Sequence, residues 1–273
     1  MKEAKQQENN RRFASSYQEP GFSGRNRTTD SNQQKKKGNI MNIRKFKNII
    51  FAFALMAAIL VSGIMPETIV QAKVAYRKKI SILMVGNSLT YSSKHKNNTI
   101  SHLKTLGKRN GYSFSIKYVA HDGEHLRNYA GGKKKRLKEL RKAINQKRWD
   151  VVVLQENTDD VIKRSPAFQK SVASIAALVR KKSPKARIIL NCTWAYDKKV
   201  FGYTHMQQQA CMDAMYSKAA RAVKASVVYS GDAFDARRKV KGSAYLYRSD
   251  KNHPSNAGCY LNACCLYKGI TGR

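Results

Sequence analysis

Ile80-Ser81-Ile82-Leu83-Met84-Val85-Gly86-Asn87-Ser88 is a nearly continuous apolar run that ends in a turn. A strand buried on both faces reads this way, because neither face needs a polar row; such strands belong to parallel sheets covered by helices. The rest of the chain repeats the theme. Thr99–Arg109 is predicted to be a helix that stops near Asn110-Gly111, and Phe114–Val119 a second strand. Leu126–Gln146 is predicted as one helix, heavily charged on one side, and Asp150–Leu154 (DVVVL) as a third strand. Ser165-Pro166 supplies a cap and first-turn pair for a helix to about Lys182. Arg187–Leu190 reads as a fourth strand, His205–Lys224 as a helix, and Ser226–Tyr229 as a short fifth strand. Ser255 can cap a last helix running to about Tyr267. Strands alternating with helices predict an α/β fold with a mainly parallel sheet covered on both faces. Ligands of such sheets bind at the carboxyl ends of the strands, so the polar residues just after each strand carry the most information.

The chain has 273 residues, enough for one α/β domain and an extension. Its 42% hydrophobic and 9% aromatic content excludes disorder throughout. Five cysteines, Cys192, Cys211, Cys259, Cys264 and Cys265, form no CxxC pair and are odd in number. A zinc ribbon, a thioredoxin-type site and a complete disulfide framework are thereby disfavoured. Residues 1–40 are polar and basic with almost no apolar periodicity, and are expected to be a disordered extension or a misassigned start. Residues 41–72 carry basic Arg44, Lys45 and Lys47, an apolar core at Ile49–Met65 and small residues around Val70-Gln71-Ala72. That order is expected of a secretory signal peptide; an uncleaved membrane anchor is the alternative, since the apolar run approaches spanning length. Either reading places the domain at 73–273 outside the cytoplasm, secreted or associated with the cell envelope.

The formal charge is +36, from 53 Lys+Arg against 17 Asp+Glu. Residues 1–72 hold 12 of the basic and 5 of the acidic side chains, which leaves +29 on residues 73–273. In a cytoplasmic protein this would point to nucleic acid; an exported one more plausibly meets an anionic envelope polymer or a membrane surface. A solvated lysine face without a dedicated partner is the competing reading. The run Lys133-Lys134-Lys135-Arg136 is expected to open a helix and to be exposed.

Two short motifs carry the chemistry. Gly86-Asn87-Ser88-Leu89-Thr90 puts a serine hydroxyl at the rim of the sheet, with its backbone N–H expected near a helix N-terminus, where it can donate to an oxyanion. Asp250-Lys251-Asn252-His253-Pro254 places a carboxylate three residues before a histidine and just ahead of the last helix. Such an aspartate can hold one ring nitrogen and leave the other free to take a serine proton. Each motif alone is weak, but their placement at the first strand and before the last helix is far more specific.

Together these blocks resemble the SGNH hydrolase superfamily, also called GDSL lipases and esterases, and the resemblance spans Ile80 to Gly269. The block usually written Gly-Asp-Ser-Leu stands here as Gly86-Asn87-Ser88-Leu89, and Asp-x-x-His-Pro as Asp250–Pro254. Trp149–Glu156 and Thr193-Trp194-Ala195 resemble a bacterial subgroup whose substrates are poorly defined. The resemblance implies a flavodoxin-like three-layer α/β/α sandwich with a five-stranded sheet. It also implies Ser88 as nucleophile, His253 as general base and Asp250 as the residue orienting it. The backbone N–H groups of Ser88 and Gly123 match oxyanion donors. The third donor departs from the usual Gly-x-Asn-Asp: after the third strand stands Gln155-Glu156-Asn157-Thr158-Asp159-Asp160. Asn157 is favoured, with Gln155 as the alternative; an ungapped comparison would put Asp159 there, where a carboxylate would repel an oxyanion.

The activity implied is an exported serine esterase acting on a small-molecule or glycan ester, with O-acetyl groups on a carbohydrate as one class and with no metal or cofactor. An O-acyltransferase using the same serine, or a noncatalytic basic module on an anionic polymer, are the alternatives. Other polar residues have plainer readings. His95, His102, His121, His125 and His205 show no metal-ligand spacing, although His121 and His125 follow the second strand and could line the pocket. Trp194, after the fourth strand, is either a stacking surface for substrate or ordinary packing. Cys264 and Cys265, on the last helix, are expected to be buried free thiols, while Cys192 and Cys211 could be close in space.

Overall fold

The structure, a computed structural model, describes residues 78–273. The expected extension at 1–40 and the expected signal or anchor at 41–72 lie outside the described residues. Five strands form one sheet: β1 (Lys78–Gly86), β2 (Tyr112–Ala120), β3 (Val151–Leu154), β4 (Arg187–Cys192) and β5 (Ser226–Tyr229), in the order β2-β1-β3-β4-β5. Every pair is parallel; β1 runs alongside β2 from Lys78↔Tyr112 to Gly86↔Ala120 and alongside β3 from Ile82↔Val151 to Val85↔Leu154. The expected α/β fold with a five-stranded parallel sheet is thus what the chain adopts.

Successive side chains of a strand point to opposite faces, and both faces here are apolar. Leu83, Val85, Val152, Leu154, Ile188 and Leu190 meet the apolar stripes of α2 (Lys134–Asn145), α4 (Ser165–Lys182) and α5 (His205–Ala222). Ile82, Met84, Val151, Val153, Ile189 and Val228 meet α1 (Thr99–Arg109) and α8 (Asn256–Thr271). A third, smaller cluster joins Leu89, Trp194, Phe234, Leu246 and Tyr247 at the rim.

Three local features of the helices differ from the sequence reading. The helix expected over Leu126–Gln146 is interrupted by a π-helical turn at Asn128–Gly132, because Gly131 takes φ 134°, which no residue with a side chain adopts easily; α2 starts anew at Lys134. A short α3 (Thr158–Lys163) opens with Asn157 as its cap, and α6 (Ser230–Lys241) and α7 (Ser243–Leu246) follow β5, none of them expected. The Ser165-Pro166 pair lies one residue further in than expected: Ser165 is the first residue of α4, and Pro166 sits where a missing N–H costs nothing. Ser255 caps α8 as expected, accepting the Gly258 N–H at 3.1 Å. All five cysteines are free thiols, with Cys192, Cys211 and Cys259 buried but Cys264 and Cys265 only half-buried, which corrects the burial expected of that pair.

Candidate active site

β1 ends at Gly86, where nothing larger than glycine fits. A Cβ there would lie 2.3 Å from Thr90 Oγ1 and 2.5 Å from Gln155 Oε1. The chain then folds into a tight turn, with the Thr90 and Tyr91 N–H groups both donating to the Asn87 carbonyl. The Asn87 side chain closes it from two sides: Oδ1 accepts the Leu89 N–H at 3.0 Å, and Nδ2 donates to the Glu124 carbonyl at 3.1 Å. Asn97 adds a clamp, donating from Nδ2 to the carbonyls of both Ser88 and Leu89 at 2.9 Å. Tyr129, presented by the π-helical turn, donates its hydroxyl to the Gly86 carbonyl at 3.1 Å. The expectation that the Ser88 N–H sits near a helix N-terminus is therefore corrected. The next helix starts only at Thr99, and hydrogen-bonded side chains hold the turn in place of a helix.

Ser88 is only 7% exposed. Its Oγ lies 2.9 Å from His253 Nε2, and His253 Nδ1 lies 2.7 Å from Asp250 Oδ2. The other Asp250 oxygen accepts the backbone N–H of Asn252 and of His253, each at 2.9 Å. Burial opposes the Asp250 charge, but these N–H groups and the His253 ring outweigh it and hold the carboxyl below its ordinary range. The loop bearing both residues is fixed from behind. Trp194 Nε1 donates to the Asn252 carbonyl at 2.8 Å, and the Asp197 N–H donates to the Lys251 carbonyl. Trp194 is 1% exposed and stacks on Phe234 with centroids 3.9 Å apart. It is thus a packing residue that braces the histidine loop, and its alternative reading as a substrate platform is set aside.

No family model and no curated protein sequence matches the chain. Solved structures do. A protein from Slackia heliotrinireducens assigned to the SGNH hydrolases is 26% identical, with a TM-score of 0.60, covering 70% of this chain and 98% of that one. A DUF4886 family protein from Bacteroides uniformis is 18% identical with a TM-score of 0.61, over 72% of this chain and 84% of its own. A variant of an acetyl-xylooligosaccharide esterase from Geobacillus stearothermophilus is 18% identical with a TM-score of 0.53, over 72% and 96%. By its fold and by its serine–histidine–aspartate arrangement the chain is similar to the SGNH hydrolases.

The candidate oxyanion donors differ in availability. Among the described residues, no acceptor takes the backbone N–H of Ser88 or of Gly123, which lies in the turn after β2. Asn157 uses its Oδ1 to cap α3, accepting the Asp159 N–H at 3.0 Å, so its amide NH₂ stays unengaged. Gln155 does not qualify as the alternative. It is 1% exposed, its Oε1 accepts from the Asn87 N–H and the Thr90 hydroxyl, and its Nε2 donates to the Glu156 carbonyl. It is a brace under the serine turn. Asp159 accepts the Tyr196 hydroxyl at 2.8 Å.

Two buried carboxylates tie the loops together. Glu156 accepts the Asn157 N–H at 2.6 Å and the Leu126 N–H at 2.9 Å, linking the third-strand loop to the second. Glu124 is opposed by burial, yet Arg136, Asn128 and Lys133 bring its carboxyl down to about 2. His121 pairs with Glu139 at 2.8 Å and lines an open cleft with Lys135, Arg136, Lys138 and Lys142 of α2, and His205 pairs with Asp235. His125 approaches Glu156 at 3.6 Å and Asp160 at 3.4 Å. These three could surround an ion, but the Arg127 guanidinium already contacts Asp160 there. His95, Asp250 and His253 also lie close, yet the two imidazoles are stacked with parallel rings, so their in-plane lone pairs do not converge on one point.

Nothing in the sequence marks His95 or Asn97 as part of the site. Asn97 belongs to a polar stretch, Ser92–Thr99, that reads as plain loop; only its contacts reveal its use.

Proposed function

We propose that the protein is a serine esterase that hydrolyses carboxylic esters through an acyl-serine. The observation that carries this is the unbroken chain from Ser88 Oγ through both nitrogens of His253 to Asp250. His253 takes the Ser88 proton as Oγ attacks the ester carbonyl. The oxyanion formed is met by the N–H groups of Ser88 and Gly123 and by the Asn157 amide. Collapse expels the alcohol, which receives the proton from the imidazolium and leaves an acyl group on Ser88. A water, deprotonated by His253, attacks the acyl carbon and releases the acid. Asp250 fixes the ring tautomer and faces the positive charge that forms.

O-acyl groups on a carbohydrate are our substrate class. The fold shared with an acetyl-xylooligosaccharide esterase supports it, as does the expected export signal at 41–72, which would place the domain where glycans are met. The charge of +29 on residues 73–273 adds an anionic polymer as the carrier of the ester. Hydrolysis of short-chain aryl esters by the wild-type chain and by Ser88→Ala tests the mechanism, with a fluorophosphonate as a separate probe of the hydroxyl. We expect a loss of at least about 10³-fold in Ser88→Ala and labelling of wild type alone. Equal rates in the two would end the proposal; acyl transfer to an added glycan exceeding free acid would make it a transferase.

A further inference from the structure

His95 stacks face to face on His253, with ring centroids 3.6 Å apart and planes within 5°. The stack is presented by a built loop. Ser92 and Asn97 form a β-bridge, the His95 N–H donates to Ser92 Oγ at 3.0 Å, and Lys96 turns the chain with φ 46°. Ser92 and Asn97 are buried, and Asn97 is the residue that clamps the carbonyls of Ser88 and Leu89. One short loop therefore holds the serine turn with one side chain and covers the histidine ring with another. The outer edge of His95 faces Asp122, at 3.9 Å, from the loop after β2.

We propose that His95 is a positioning residue that holds the His253 ring in the plane from which it reaches both Ser88 and Asp250. The proposal rests on the esterase reading for its catalytic consequence but not for its geometry. His253 can swing about its Cα–Cβ and Cβ–Cγ bonds, and its ring edge is held by one hydrogen bond at Nδ1 and one at Nε2. A flat partner on its face adds a contact that opposes this swing and keeps both bonds aligned. An imidazole suits the task because its neutral π face also tolerates the positive charge His253 gains during acyl transfer.

The same stack makes His95 sensitive to pH. The titratable and charged groups facing it are His253 and Asp250 from the loop before α8, Asp122 from the loop after β2, and Lys94 from its own loop. Burial, then the neighbouring His253, hold the His95 ring below the ordinary histidine value, while the two aspartates oppose this. His95 is therefore neutral at pH 7 and above. Once it is protonated on acidification, a second cation lies against the ring that must become imidazolium.

Three variants and one spectrum test this. His95→Ala should lower kcat on a neutral aryl ester about three- to tenfold, the size of one aromatic stack, with KM unchanged. His95→Phe, which stacks but does not titrate, should restore most of kcat at pH 8. Its acid limb of kcat/KM should fall with a slope of one, against a steeper wild-type limb. Wild-type kcat in His95→Ala overturns the proposal, and so does a His95→Phe enzyme as impaired as His95→Ala. The histidine resonances of the isotope-labelled chain need no turnover. The titration midpoint of His95 should move up in His253→Gln, and an unmoved midpoint overturns the stack. Turnover absent from wild type and Ser88→Ala alike, with the midpoint still moving, would overturn the esterase reading and leave the stack in place.

Discussion

Asp250 satisfies both of its oxygens within a four-residue span, one on the His253 ring and the other on two backbone N–H groups. The short loop is thereby built around a carboxylate rather than merely carrying one. Asparagine in its place can still accept a backbone N–H, but it turns an NH₂ toward Nδ1 and forces the other ring tautomer, whose protonated Nε2 cannot accept from Ser88. Asp250→Asn is therefore expected to lower kcat by about 10²–10⁴-fold with KM retained, measured on an aryl ester at pH 8. The sign of the Asp250 shift also assigns the pH profile. A carboxyl held below its ordinary range stays ionised until the pH drops beneath that range, and only then loses its interaction with His253. A loss of activity that sets in above the ordinary carboxylate range therefore does not report Asp250.

At the level of elements, α5 and α6 share an acidic seam beside the sheet. Asp213 on α5 is pushed up to about 6, by burial first and by the charges of Asp232 and Asp235 on α6, against the hydrogen bonds from Gln209 and Cys192. Its folded value exceeds the unfolded one, so the native chain keeps a proton that the unfolded chain gives up. Stability falls as the pH rises from about 4 to 6 and stays lower above. Asp213→Asn should be the more stable form at pH 8, by about 2–3 kcal/mol, and indistinguishable from wild type near pH 4; urea midpoints at the two values check it. Elements with a strong local signal are legible in the sequence. Thr99–Arg109 and Ser226–Tyr229 are where the pattern puts them, and the buried run ending at Val85 defines β1, an interior strand of the sheet. The π-helical turn is not legible, because a pair of glycines inside a charged helical pattern does not say which way the chain turns. Nor is α6, whose first turn, Ser230-Gly231-Asp232, reads as a loop; Gly231 is required there because a Cβ would meet the Gln209 amide at 2.1 Å. The serine, histidine and aspartate are legible through motif and placement, whereas His95, Asn97 and the bracing role of Gln155 depend on contacts between separate loops and have no sequence signature.

Over the whole molecule, the charge of residues 73–273 is concentrated in usable form along α2. Lys134, Lys135, Lys138, Arg141 and Lys142 are exposed there, and the only acid on the helix, Glu139, is taken up by His121 and Arg136. The basic row also reaches the site. Lys133 and Arg136 clasp Glu124, whose carbonyl holds Asn87 in the serine turn. An anionic polymer held along α2 would lie beside the Glu124 loop that braces the serine turn, and we propose this as its place if the ester is carried on such a polymer. Replacing Lys134, Lys138 and Arg141 together by glutamate should weaken retention on immobilised polygalacturonate at 0.05 M salt by at least about tenfold. The difference should shrink as salt is raised and the Debye length falls toward about 3 Å at 1 M. Hydrolysis of a neutral aryl ester should be untouched, since none of the three side chains meets the serine turn. Retention that survives the triple replacement would show that the lysines of α2 are simply a solvated face. A parallel loss of aryl-ester turnover would show instead that the helix supports the fold around Glu124 rather than a partner.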